Sequence, residues 1–76
     1  MKELLEVIAK NLVDSPDLVN VKVSEGEKST VLELRVAPED MGKVIGKQGR
    51  IAKAIRTVIR SAAIHENKHV VVEIVE

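Results

Sequence analysis

The chain has 76 residues, enough for one domain and too few for two, so the whole of 1–76 is expected to share one core. It contains no cysteine and no aromatic residue, which excludes disulfides, thiolate metal sites and recognition by stacking bases on Phe, Tyr or Trp. Lysine plus arginine and aspartate plus glutamate balance at 12 each, no apolar run approaches membrane-spanning length, and Glu3 and Glu6 interrupt any leader-like start, so a soluble cytoplasmic protein is expected.

Residues 3–13 are predicted to form a helix. Leu4, Leu5, Ile8 and Leu12 recur at helical spacing, and Asp14-Ser15-Pro16 breaks the pattern. Val19, Val21 and Val23 then alternate with Asn20, Lys22 and Ser24, which is the period of a strand. Glu25-Gly26-Glu27-Lys28 is a polar turn. Leu32, Leu34 and Val36 alternate with Glu33 and Arg35 beyond it, so an antiparallel hairpin is expected. Pro38 ends the second strand. Residues 39–45 read as a short helix with Glu39 and Asp40 at the end its dipole favours for acids.

Gly46-Lys47-Gln48-Gly49 separates this helix from a longer amphipathic one at 50–64. On that helix Ile51, Ala54, Ile55, Val58, Ile59 and Ala62 share the side assigned to the core. Arg50, Lys53, Arg56, Thr57 and Arg60 share the other. Residues 70–75 form a last strand with Val70, Val72 and Ile74 on one face. The order is αββααβ, an α+β arrangement. A crossover through two helices makes the second and third strands parallel. The expected sheet is three-stranded and mixed, ordered first-second-third, with all three helices on one face.

Net charge is zero, but its distribution is uneven. Lys43, Lys47, Arg50, Lys53, Arg56 and Arg60 fall in a stretch, 41–65, that has no acidic residue. A neutral chain with one basic segment has a directed field suited to an anionic ligand. The two glycines lie inside that segment. One supplies the left-handed conformation that ends a helix, and the other lets backbone approach a ligand where a Cβ would clash. The unpaired amides opening the next helix favour a phosphate oxygen. A bare G-x-x-G also fits a glycine cap followed by a tight turn. Its position between a short and a long helix, beside a basic face, favours the phosphate reading.

The run Val36-Ala37-Pro38-Glu39-Asp40-Met41-Gly42-Lys43-Val44-Ile45-Gly46-Lys47-Gln48-Gly49-Arg50-Ile51 resembles the signature of the small bacterial single-KH proteins of the KhpA (YlqC-like) family. The likeness extends over nearly the whole chain, in length and in element order. It implies a type II KH fold and a cytoplasmic protein that binds single-stranded RNA, acting in RNA regulation or as an RNA chaperone. It also implies pairing with a second copy or with a larger KH protein of the KhpB (Jag) type. Carried over residue by residue, Gly46, Lys47, Gln48 and Gly49 match the backbone clamp, which grips about four nucleotides. Lys43, Arg50 and Lys53 are expected to add charge beside it, and Val44, Ile45 and Ile51 to shape an aliphatic groove. Glu25 and Glu27 in the strand–strand loop are less favourable to RNA if that loop borders the groove.

A second motif, His65-Glu66-Asn67-Lys68-His69, satisfies the H-E-x-x-H pattern of zinc peptidases. That chemistry needs both histidines on one helical face and a third ligand elsewhere. Asn67 continues a helix poorly and a β-rich run follows, so a helix end and a polar loop are expected instead. No nucleophile triad or Walker loop is present. The reading is a non-enzymatic RNA-binding protein without cofactor or metal. The rival is a docking or dimerisation module, with Val31, Val71 and Val75 on the sheet face away from the helices as its surface.

Overall fold

A computed structural model describes residues 1–75. The elements are α1 (Lys2–Leu12), β1 (Asn20–Glu25), β2 (Thr30–Arg35), α2 (Met41–Ile45), α3 (Arg50–His65) and β3 (Val70–Val75). Short 3-10 turns at Pro16–Leu18, Pro38–Asp40 and Lys47–Gly49 join them. The fold is α+β in the order αββααβ, with sheet order β1-β2-β3. β1 and β2 are antiparallel, running from Asn20 opposite Arg35 to Glu25 opposite Thr30. β2 and β3 are parallel, from Thr30 beside Val70 to Arg35 beside Val75.

The period of two in the strands decides which side chains meet the helices. Val21, Leu32, Leu34, Val70 and Val72 face inward and are buried. Leu5 and Ala9 of α1, Val44 of α2, and Ile55, Ile59 and Ala63 of α3 close over them. With no aromatic ring available, the core is made of interdigitated aliphatic side chains. Each Leu or Ile buried this way contributes about 1.5–3 kcal/mol relative to leaving it in water.

Two expectations are corrected here. α2 begins at Met41 rather than at 39, and Asp40, its N-cap at the end of a 3-10 turn, is 1% exposed. On α1, Leu5 and Ala9 take the inward position and Leu4 and Leu12 are 36% exposed. The core side of α3 is centred on Ala52, Ile55, Ile59 and Ala63, while Ala54 and Val58 are exposed. The apolar arc of α3 is wider than the sheet can cover. Its remainder faces α1 and forms one wall of an open apolar groove of about 520 Å³, lined by Leu4, Ile8, Leu12, Ile51, Ala54 and Val58 with Arg50 at its rim.

α3 therefore has three flanks. One is buried on the sheet, one looks onto the groove with α1, and the third carries Lys53, Arg56 and Arg60. The third lies towards β3, since Arg56 Nε donates a hydrogen bond of 3.3 Å to the Val72 carbonyl. Val31, Val71 and Val75 do lie on the outer sheet face, but Glu33, Arg35 and Glu73 are interleaved with them. That face is a mixed polar surface.

Candidate functional site

The loop between α2 and α3 is built from backbone angles that the sequence makes accessible. α2 ends at Gly46, whose N–H bonds the Gly42 carbonyl at 2.9 Å. Gly46 has φ 75° and ψ 174°, a region open in practice only to glycine. Gln48 (φ 59°) and Gly49 (φ 74°) are both left-handed, and the Gly49 N–H returns to the Gly46 carbonyl at 3.1 Å. The chain thus makes a tight turn and enters α3 directly.

The two glycines are required for different reasons. A Cβ on Gly46 would lie 2.5 Å from Ile51 Cγ1, whereas one on Gly49 would meet nothing within 4 Å. Gly46 is the close-packing glycine, set against the side chain that opens α3. Gly49 is open to solvent and to a ligand. No side chain caps the N-terminus of α3. The Arg50 N–H bonds the Lys47 carbonyl, the first-turn amides that follow it have no capping side chain, and the helix dipole adds partial positive charge there.

The expected contact residues do not all gather at this loop. Lys47, Gln48, Arg50 and Lys53 are exposed, and Ile45 is 37% exposed beside Gly46. The Arg50 guanidinium reaches Gln48 Oε1 only at a long 3.5 Å, so it is free to turn toward a ligand. Val44, one of the residues expected to shape the groove, is 0% exposed and forms part of the core. Adjacent aliphatic residues on a helix point about 100° apart, and here the sheet takes Val44 and leaves Ile45 outside.

Lys43 differs from its expected role too. Its ammonium lies 2.7 Å from Asp14 Oδ2 and 3.6 Å from Asp40 Oδ1. Asp40 Oδ2 in turn accepts the Ser15 N–H at 3.0 Å. This network ties the segment after α1 to the start of α2 and holds the base of the loop. Burial alone would raise the Asp40 carboxyl's pKa. The Ser15 and Asp14 N–H groups and the Lys43 ammonium outweigh burial and hold it below its ordinary value. Lys43 is shifted upward, first by its hydrogen bond to Asp14. Both directions favour the charged partners, so Lys43 is engaged within the protein before any ligand arrives. Asp40 is the residue that sequence reasoning missed. A buried acid between a proline turn and a short helix has no periodic signature, because its partners Asp14 and Ser15 lie about 25 positions away in sequence.

The H-E-x-x-H geometry does not form. α3 ends at His65, Asn67 is left-handed at φ 56°, and the Lys68 N–H bonds back to the Ala63 carbonyl at 2.9 Å. His69 follows this helix-terminating turn, so the two histidines do not share a helical face. Among the described residues no group of three or more His, Asp or Glu is placed to hold a metal. No helix of the described residues is long and apolar enough to cross a membrane.

Comparison with known proteins gives a consistent result. The chain is 73% identical over 75 residues to a protein of Clostridium acetobutylicum named RNA-binding protein KhpA, covering 99% of this chain and all of that one. It is 71% identical over 75 residues to the protein of the same name from Clostridium perfringens, again covering 99% and 100% of the two chains. With the protein of that name from Aquifex aeolicus the chain shares 53% identity over 76 residues, which is 100% of this chain and 96% of that one. No solved structure matches the chain. The family model described as KhpA/KhpB, KH domain, matches residues 2–74. With nearly its whole length matched by that model and by full-length relatives, the chain belongs to the KhpA/KhpB family of KH-domain proteins.

Proposed function

We propose that this protein binds short single-stranded RNA through the Gly46–Gly49 loop, as one non-catalytic KH domain acting in the cytoplasm in RNA regulation or as an RNA chaperone. One observation carries the reading. Two positive-φ glycines bend exposed backbone into the uncapped start of a helix, with Lys47 and Arg50 beside it. Phosphate oxygens accept from the amides, and the cations neutralise the remaining charge. Ile45 and Ile51 give bases an aliphatic surface, which suits a chain without aromatic rings. The relatives' shared name, RNA-binding protein KhpA, supports the same ligand. The test is to titrate isotopically labelled protein with a randomised tetranucleotide RNA. The amides of residues 46–52 are expected to shift first and those of Lys22 and Glu33 on the outer sheet face to stay still. Shifts confined to that outer face, or none at any salt, would reject the reading.

A second reading is favoured by the groove between α1 and α3, whose loop end, Arg50 and Ile51, it shares with the first. Val58 is 48% exposed there, in a surface that is almost wholly apolar. Grooves of this size are more often covered than left in water. A second copy of the chain, or a larger KhpB-type KH protein, is the partner that the family suggests. We expect the protein to sediment as a dimer at tens of micromolar, and Val58→Asp to sediment as a folded monomer. A wild-type monomer, or a variant that still dimerises, would remove the groove as the interface.

A further inference from the structure

Among the described residues Asp40 is the one charged side chain that is buried. It occupies the N-cap position of α2, where an aspartate ordinarily accepts from the first amides of its own helix. Here it makes no such bond. Its Oδ2 accepts instead from the Ser15 N–H at 3.0 Å, 25 positions away in sequence. The side chain has given up a local cap to reach a different segment. Burying a carboxylate costs free energy that a solvated cap does not, and what it secures is a fixed distance between two segments.

That distance controls α2. A helix of five residues cannot hold itself, and only Val44 of α2 is fully buried. α3, by contrast, has 16 residues and is fixed on the sheet by Ala52, Ile55, Ile59 and Ala63. The Gly46–Gly49 turn hangs between the two helices, so α2 is its movable wall. Two ties hold that wall to the segment after α1. The buried one runs from Asp40 to Ser15, and on the solvent side Lys43 meets Asp14 at 2.7 Å. With Asp40 as pivot, a tilt of α2 by about 10° moves Gly46 by about 1–2 Å. A binding constellation loses its fit when its groups stray by more than about 0.5 Å.

We propose that Asp40 is a positioning residue of the clamp, whose carboxylate holds α2 so that the Gly46–Gly49 turn is set for RNA before RNA arrives. It touches no nucleotide itself. The proposal rests on the loop-clamp reading, and its test separates the two. The competing account is that Asp40 serves stability alone. Lost stability weakens apparent affinity only through the fraction of protein folded, so a variant about 95% folded loses only about 5% of its affinity on that ground.

The tetranucleotide RNA is titrated against Asp40→Asn at a temperature where thermal unfolding shows the variant about 95% folded. The amide keeps the shape of the side chain but loses the charge that faces Lys43 and one acceptor. Affinity is expected to fall about tenfold, because the order of the loop must then be supplied on binding. In the free variant the amides of residues 46–50 should shift. Ile59→Val, a core change about 13 Å along α3 from Arg50, should lower stability and leave affinity as in wild type. Wild-type affinity in folded Asp40→Asn, or an equal loss in folded Ile59→Val, would overturn the positioning role and leave the clamp reading intact. If Asp40→Asn does not fold, Asp14→Asn decides. The Asp14 side chain is 77% exposed, so this variant keeps the core and cuts only the outer tie. At about 300 mM salt, where exposed charges are screened beyond about 6 Å, it should bind about threefold more weakly. Unchanged or tighter binding there would overturn the proposal, since removing an acid without loosening α2 favours RNA. If wild-type protein does not bind the tetranucleotide, the clamp reading fails and the positioning role fails with it.

Discussion

Replacing Lys47 and Gln48 together by aspartate weakens binding of a tetranucleotide RNA by more than about 100-fold, while the protein unfolds as wild type does. The local charge changes by three units: one positive charge is lost and two negative charges are gained. At 4–6 Å from a phosphate each unit is worth about 1 kcal/mol in water and more in a partly desolvated groove, so about 3 kcal/mol or more is removed from binding. Both side chains are exposed, and neither belongs to the core. Gln48 sits at φ 59°, a conformation aspartate tolerates better than most residues, so the turn itself is preserved. Fluorescence anisotropy of a labelled RNA measures the first effect and thermal unfolding the second. Undiminished affinity in the folded variant would place the phosphates elsewhere. An unfolded variant would mean that this loop bears on the core.

Gly46→Ala is the most damaging single-methyl change available in the loop. The new Cβ would lie 2.5 Å from Ile51 Cγ1 and 2.9 Å from both Ile51 Cβ and Cδ1. Rotating the Ile51 side chain relieves two of those contacts and leaves the one to Cβ, which the backbone fixes. The alanine must also occupy φ 75°, ψ 174° or drag the end of α2 out of place. Backbone strain of about 1–3 kcal/mol and overpacking of similar size together give about 2–5 kcal/mol. For a chain of this size total stability is only about 4–11 kcal/mol, so a large part of it is lost. Gly49→Ala is the control. It meets no atom and carries only the left-handed penalty of about 1–2 kcal/mol. Urea titrations of the two variants compare them directly, and equal losses would show that contact with Ile51 is not what requires a glycine at 46.

The element order was legible in the sequence because each segment carries its own period. Val21 and Val23, Leu32 and Leu34, and Val70 and Val72 alternate cleanly, and proline or glycine stands at every break but the last, where Asn67 does. The loop was legible because glycine conformations are local and the glycines stand in the signature run. What sequence did not disclose depends on the relative rotation and reach of elements far apart in the chain. The core side of α3 could not be chosen correctly, since its apolar residues span both the sheet-facing arc and the arc facing α1. Only the packing of α1 decides that Ile55 is buried and Val58 is not. Lys43 looked equivalent to Lys47 and Lys53. The acids that engage it are Asp40, three residues earlier, and Asp14, which arrives from beyond α1. Val44 and Ile45 differ by one methylene group in sequence terms and by a full reversal of environment in the fold.

The threefold division of α3 bears on how much change the protein tolerates. The buried arc admits only side chains of the right volume, the flank toward α1 disfavours charge, and the flank toward β3 disfavours acids. These demands leave the helix few positions indifferent to substitution. Freedom to vary is concentrated instead in the Glu25–Ser29 turn and the mixed outer face of the sheet, where side chains are solvated and no core contact is at stake. Insertions, affinity tags and fluorescent labels belong at that turn, at the end of the hairpin away from Arg35 and the segment that leads to the loop.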